Sequence, residues 1–157
     1  MKSVMVGGGI ALALAFFASV ALPAERRRDF KEDKAAIQAI FATHDRLAPG
    51  LDEYMRAVAD DIILMPNGGK VVEGKAAYRQ HVLDFYGAGA IQIRHEVIEV
   101  YSYPELVIAR GRAVGSFTPP GGAASSFETR NVFVFRRLAN GTLSVWQIIY
   151  NDAPRGS

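Results

Sequence analysis

Trp146-Gln147-Ile148-Ile149-Tyr150-Asn151-Asp152 sets the only Trp, an Ile and a Tyr at alternate positions. Alternate residues of a strand share one face, so the stretch reads as an aromatic row closing a strand pair that begins near Phe127. Working back from it, the apolar period stays at two as far as residue 90. Strands are predicted over Ile91 to Ser102, Leu106 to Phe117, Phe127 to Leu138 and Leu143 to Asn151, separated by Pro104, Pro119-Pro120-Gly121-Gly122 and Asn140-Gly141. Upstream the period becomes helical. Ala36, Ile37, Ile40, Phe41, Leu47 and Ala48 form a stripe between Asp33 and Ala48, which Pro49-Gly50 ends. Asp52 can cap a short second helix running to Asp60-Asp61, where that carboxylate pair reads as capping and turn chemistry. Ile62 to Met65 and Val71-Val72 read as short strands, and Ala76 to Tyr86 as a third helix. Helices first and a long-stranded meander after predict an α+β fold, three N-terminal helices on a curved, mainly antiparallel sheet.

The chain has 157 residues, enough for one domain, and its formal charge of +2 with no basic stripe excludes a nucleic-acid partner. It has no cysteine, hence neither disulfides nor thiolate chemistry. Lys2, the apolar run Ile10 to Phe17 and small residues around Ala21 and Ala24 follow the order of a secretory signal. The competing reading is an uncleaved membrane anchor, since Val4 to Leu22 nearly spans a bilayer, and Arg26-Arg27-Arg28 stands against export. The domain layout is therefore 1–24 signal or anchor, 25–32 linker, 33–152 folded domain and 153–157 tail, with export to the periplasm or medium, or membrane attachment, as its consequence.

Three pieces carry a family resemblance: Ala59-Asp60-Asp61-Ile62-Ile63-Leu64-Met65-Pro66, Val72-Glu73-Gly74-Lys75-Ala76-Ala77-Tyr78-Arg79, and Phe133-Val134-Phe135-Arg136-Arg137 through Asn140-Gly141 to Trp146-Gln147-Ile148. In this order they resemble the SnoaL-like proteins, including the DUF4440 group, of the nuclear transport factor 2 and ketosteroid isomerase superfamily. The resemblance implies a cone-shaped fold that hosts isomerases, cyclases, dehydratases and binding domains alike. It also implies departures. Where ketosteroid isomerases keep their Asp base, this chain has Leu64 or Met65; their oxyanion Tyr falls near Phe41, and their second acid near Asn131. The Asp-Arg-Asp set of limonene epoxide hydrolases is not matched, because Arg110, Arg112, Glu128 and Arg130 alternate away from the inward face. By analogy that outer face implies a homodimer; a solvated charged face is the alternative.

His44 on the first helix and His81 on the third share faces with apolar residues. Each reads as a proton-transfer group lining a cavity, or as a half-buried histidine satisfied by a carbonyl. His95, between Arg94 and Glu96, reads as surface. Trp146, Ile148 and Tyr150 point into the cone, Ile148 as core and Tyr150 with a hydroxyl that Asn131 on the neighbouring strand can meet. Tyr54 and Met65 complete the ligand-binding set. Asp45 projects about 100° from His44 on an ideal helix and need not touch it. The histidine spacings match no metal motif and no cofactor is implied. The leading expectation is a pocket for a small, mainly apolar or aromatic molecule. Set against it are a cofactor-independent isomerase, cyclase or dehydratase using His, Tyr and Asn, and a dimeric assembly module.

Overall fold

The computed structural model describes residues 30–153. The signal or anchor of 1–24, residues 25–29 of the linker and residues 154–157 of the tail lie outside the described residues. No helix of the described residues is long and apolar enough to cross a membrane. The elements run α1 Phe30–His44, a 3-10 turn Ala48–Gly50, α2 Leu51–Arg56, β1 Val58–Met65, β2 Val72–Glu73, α3 Lys75–Gly87, β3 Ala90–Ser102, β4 Leu106–Thr118, β5 Ser125–Arg137 and β6 Leu143–Asp152. The strands form one sheet in the order β2-β1-β6-β5-β4-β3. All pairings are antiparallel except β1 with β6. The expected α+β architecture, three helices against a curved sheet, is the one observed.

The helix stripe works as predicted only over its first part. Ile37 and Phe41 are buried and join Val107, Ala109, Phe133, Phe135 and Val145 in the core. Leu47 and Ala48, however, lie beyond the helix, which stops at His44. A proline ring clashes with the carbonyl four residues before it, so Pro49 cannot extend a helix through Asp45. Leu47 takes up the break with a positive φ of 58°. Asp60-Asp61 is a second correction. Both residues lie inside β1 rather than at a helix end, where Asp61 accepts a hydrogen bond from Arg136 at 2.8 Å and Asp60 pairs with Lys75.

Besides a register shift between Val58 and Ile63 where β1 pairs with β6, two bulges among the antiparallel strands shape the sheet. Between β3 and β4 the register slips from Val97↔Gly111 to Glu99↔Arg110, leaving Ile98 unpaired; between β5 and β6 it slips from Val134↔Gln147 to Phe135↔Val145, leaving Trp146 unpaired. Each extra residue reverses the inward and outward parity of the strand beyond it. Curvature also draws β3 close over β4. A Cβ on Gly115 would stand 1.9 Å from the carbonyl oxygen of Gln92, so only glycine fits there.

Candidate functional site

Behind the helices, the concave face of the sheet encloses a cavity of about 1330 Å³ that opens to solvent. His44, His81, Asn131 and Tyr150 of the expected set line it; Tyr54, Met65 and Trp146 do not. The three corrections have separate causes. The β6 bulge turns Trp146 outward, under the guanidinium of Arg136 at 3.9 Å from the ring centroid, while Val145 and Ile148 keep the inward places. Trp146 is therefore no reporter of the cavity. On β1 it is Leu64 that faces inward, opposite Ile148, and Met65 is paired with the outward Ile149. Tyr54 is buried one layer behind the wall. Its hydroxyl meets that of Tyr78 at 3.0 Å and its ring meets the His44 ring edge-on at 4.7 Å.

The largest correction concerns His95. Far from being a surface residue, it points into the cavity with a side chain only 7% exposed, opposite Ala113 of β4. The Ile98 bulge explains why sequence parity misplaced it: Ile93, His95 and Val97 run on one phase and Val100 on the other. Its ring lies 4.9 Å from Phe41 and 5.9 Å from Phe133, and the His44 ring stands nearly perpendicular to it at 4.9 Å.

Asp45 organises this corner. One carboxylate oxygen accepts the His95 backbone N–H at 2.9 Å, and the other meets His95 Nδ1 at 2.5 Å. A residue beside His44 can reach His95 because the helix ends there, although the Asp45 N–H still bonds Phe41 O at 2.8 Å. Burial acts to raise the Asp45 carboxyl, but the two imidazoles and the His95 amide facing it outweigh burial and hold it well below the usual carboxylate range. His44 behaves oppositely: burial lowers its pKa, and nearby Asp45 only partly offsets this. His44 Nδ1 lies 3.7 Å from the carboxylate, too far for a hydrogen bond, and is buried without a partner. His44, Asp45 and His95 have ligating atoms within 4.8 Å of one another, the one such group among the described residues. One carboxylate oxygen is committed to His95 Nδ1 and the other to the His95 backbone N–H, so the arrangement is a hydrogen-bonded pair before it is a cation cage.

Asn131 faces the same cavity and is buried. Its oxygen accepts from Thr129 Oγ1 at 2.8 Å, not from its cross-strand neighbour Tyr150. That bond orients the amide and leaves Nδ2 as the available donor. Burial raises the pKa of the Tyr150 phenol and keeps it protonated. His81 lines the cavity from α3 but joins no other histidine. Among the described residues no lysine or arginine lines the cavity; Asp152 does, and Glu128 borders it while its carboxylate pairs with Arg112 on the outer face. Sequence reading missed Asp45 and His95. A signal was present for Asp45: an acid at a helix C-terminus opposes the helix dipole, and a broken local rule marks a position kept for another reason.

The outer face carries the expected cross-strand ion pairs. Arg110 meets Glu99 at 2.8 Å, and Arg112 meets Glu96 at 2.7 Å and Glu128 at 3.6 Å.

Comparison with known proteins adds a family and a fold. A family model described as a SnoaL-like domain matches residues 31–146. No curated protein matches the chain. Among solved structures, a ketosteroid isomerase-like protein from Erwinia carotovora atroseptica is similar at 18% identity and a TM-score of 0.72, over 82% of this chain and 99% of its own. An NTF2-like protein with a cystatin-like fold from Novosphingobium aromaticivorans is similar at 17% identity and a TM-score of 0.67, over 81% and 86%. A protein from Catenulispora acidiphila, solved in complex with S-DNPA, is similar at 18% identity and a TM-score of 0.59, over 78% and 92%.

Proposed function

The chain belongs to the SnoaL-like domain family, and from that premise we propose that it binds one small, mainly apolar molecule in the cavity of its sheet. The observation that carries this reading is the composition of the cavity wall. Phe117, Phe127, Phe133 and Ile148 supply apolar surface, while Asn131 and His95 add polar atoms to the same wall. Pockets that fix small ligands have this make-up, mostly apolar with a few convergent polar groups. Among the described residues no lysine or arginine lines the wall to meet a carboxylate or phosphate, which supports an uncharged ligand. That a protein of the same fold from Catenulispora acidiphila holds S-DNPA supports the scaffold's capacity for small molecules.

The full reading has the chain exported through residues 1–24 and paired as a homodimer through its outer sheet face. Ile98, Tyr101 and Ile149 lie exposed beside the ion pairs there, which supports the pairing. Arg112→Glu would set a like charge against Glu96 and Glu128 and should turn a dimer into monomer in light scattering.

Binding is tested by calorimetric titration with 2-tetralone and with 2-naphthoate, an uncharged and an anionic molecule of similar size. The ketone should bind, the carboxylate at least about tenfold more weakly, the equivalent of 1.4 kcal/mol. Asn131→Ala should weaken the ketone by a similar factor through loss of one hydrogen bond. Absence of binding across uncharged ketones, lactones and phenols would remove this function.

A further inference from the structure

We propose that His44, Asp45 and His95 form a binding site for one divalent transition-metal ion of the zinc class, where α1 ends against β3 at the wall of the cavity. The site stands apart from the ligand reading, because it needs no organic molecule in the cavity.

Geometry carries the assignment. Both imidazoles address the same carboxylate oxygen: His95 Nδ1 lies 2.5 Å from Asp45 Oδ1, and His44 Nδ1 lies 3.7 Å from it. Among the described residues these three are the one group of His, Asp or Glu side chains with ligating atoms all within 4.8 Å of one another. Zinc bonds of about 2.0–2.1 Å in a tetrahedron set donor atoms roughly 3.3 Å apart. One observed separation is longer than that and the other shorter, so side-chain adjustments on the order of 1 Å gather the set around an ion.

Two further observations point to a bound ion rather than to packing alone. His44 Nδ1 is buried without a hydrogen-bond partner, the single such side-chain atom among the described residues. A buried polar atom left unpaired is destabilising, yet the fold keeps this one beside a carboxylate, with its ring against Tyr54. The second observation is how the carboxylate is held. Asp45 Oδ2 accepts the His95 backbone N–H at 2.9 Å, the kind of outer-shell bond that fixes a metal-binding carboxylate. That leaves Oδ1 to face the two imidazoles.

The donor set selects the ion. Two imidazole nitrogens and one carboxylate oxygen suit zinc and its transition-metal neighbours, whereas calcium and magnesium take oxygen donors. Among the described residues no lysine or arginine lines the cavity to compete for the carboxylate. His44 and His95 both line the cavity, which opens to solvent, so a fourth position on that side is left for water. In the metal-free protein the His95 Nδ1 proton bridges to Asp45. The ion takes its place, and that proton passes to Nε2 of the same ring or to solvent.

The test is metal binding by the full chain, stripped with a chelator, freed of it, and titrated with zinc chloride in a calorimeter. One zinc per chain should bind, and the thermal unfolding midpoint should rise with zinc concentration. Asp45→Asn, His44→Phe and His95→Phe should each weaken zinc by at least about 100-fold, since loss of an outer-shell partner alone costs about 10–100-fold. X-ray absorption at the zinc edge of the wild type should show two imidazole ligands, and it decides the matter where a buried variant does not fold. Absence of zinc binding by the stripped wild type overturns the proposal. Unchanged affinity in folded His44→Phe or His95→Phe, or a spectrum without two imidazoles, overturns it as well.

Discussion

Helix α1 has a carboxylate near each end, and both tie the helix across to the sheet, yet the two ties differ in kind. Asp33, in the first turn, forms a two-pronged pair with Arg137 at 3.0 and 2.8 Å, with its side chain 3% exposed. The helix dipole favours its charge there, and its partner cannot lose a proton. Asp45, just past the last turn, has the dipole against it and an imidazole, not a guanidinium, for a partner. Its partner His95 lines a cavity, and beside it stands an imidazole nitrogen of His44 left without a bond. One end is a fastening in which every group is satisfied. The other is less completely satisfied and adjustable, which is what a site for chemistry needs.

The sharpest way to break this contrast is to cut each tie. Asp33→Ala strands a largely buried guanidinium and should cost about 3–5 kcal/mol in urea unfolding, with 2-tetralone affinity unchanged in the protein that folds. Asp45→Asn keeps the shape and should cost less, about 1–3 kcal/mol. If the stability losses came in the reverse order, Asp45 would be the fastening and the division of roles would fail.

Acid sharpens the comparison further. His44 has a folded-state pKa below its unfolded value, so the unfolded chain takes up a proton first and stability falls as pH drops through about 6.5. Asp45, depressed in the fold, contributes stability that is present above about pH 3.9 and is lost as pH falls below it. The unfolding midpoint should therefore decline in two stages, each with a slope of at most about 1.4 kcal/mol per pH unit per group. His44→Gln should remove the upper stage alone; a single stage in the wild type would contradict the assignment.

The smallest effect is expected outside. Arg110 and Glu99 lie on the outer face and are half exposed, so water screens their attraction. Arg110→Ala should leave the unfolding midpoint and the 2-tetralone affinity where they were, measured beside the α1 variants.

How much of this was legible varies by element. The four long strands differ from their predicted bounds by no more than two residues at either end, and the inward parity of Asn131 and Phe133 is the predicted one. Those features follow from alternation over many residues, and no single packing event changes them. Trp146 and His95 were misplaced for one shared cause, a bulge on their own strand. Met65 missed by one position, enough to cross the sheet. Asp45 was set aside because an ideal helix turns it from His44, whereas its partner is fifty residues away on β3.

The sequence by itself determined the order of helices and strands, the turns between them and the family to which they add up. Those depend on local sterics and on burying one face of each element, both of which neighbours along the chain can specify. Tertiary structure alone decided where the sheet bulges and which imidazole meets the carboxylate at the end of α1. A bulge bends one strand against the neighbour it pairs with, and the Asp45–His95 bond exists only where helix and sheet already pack. Neither is written in the spacing of adjacent residues, and together they decide which side chains reach the cavity.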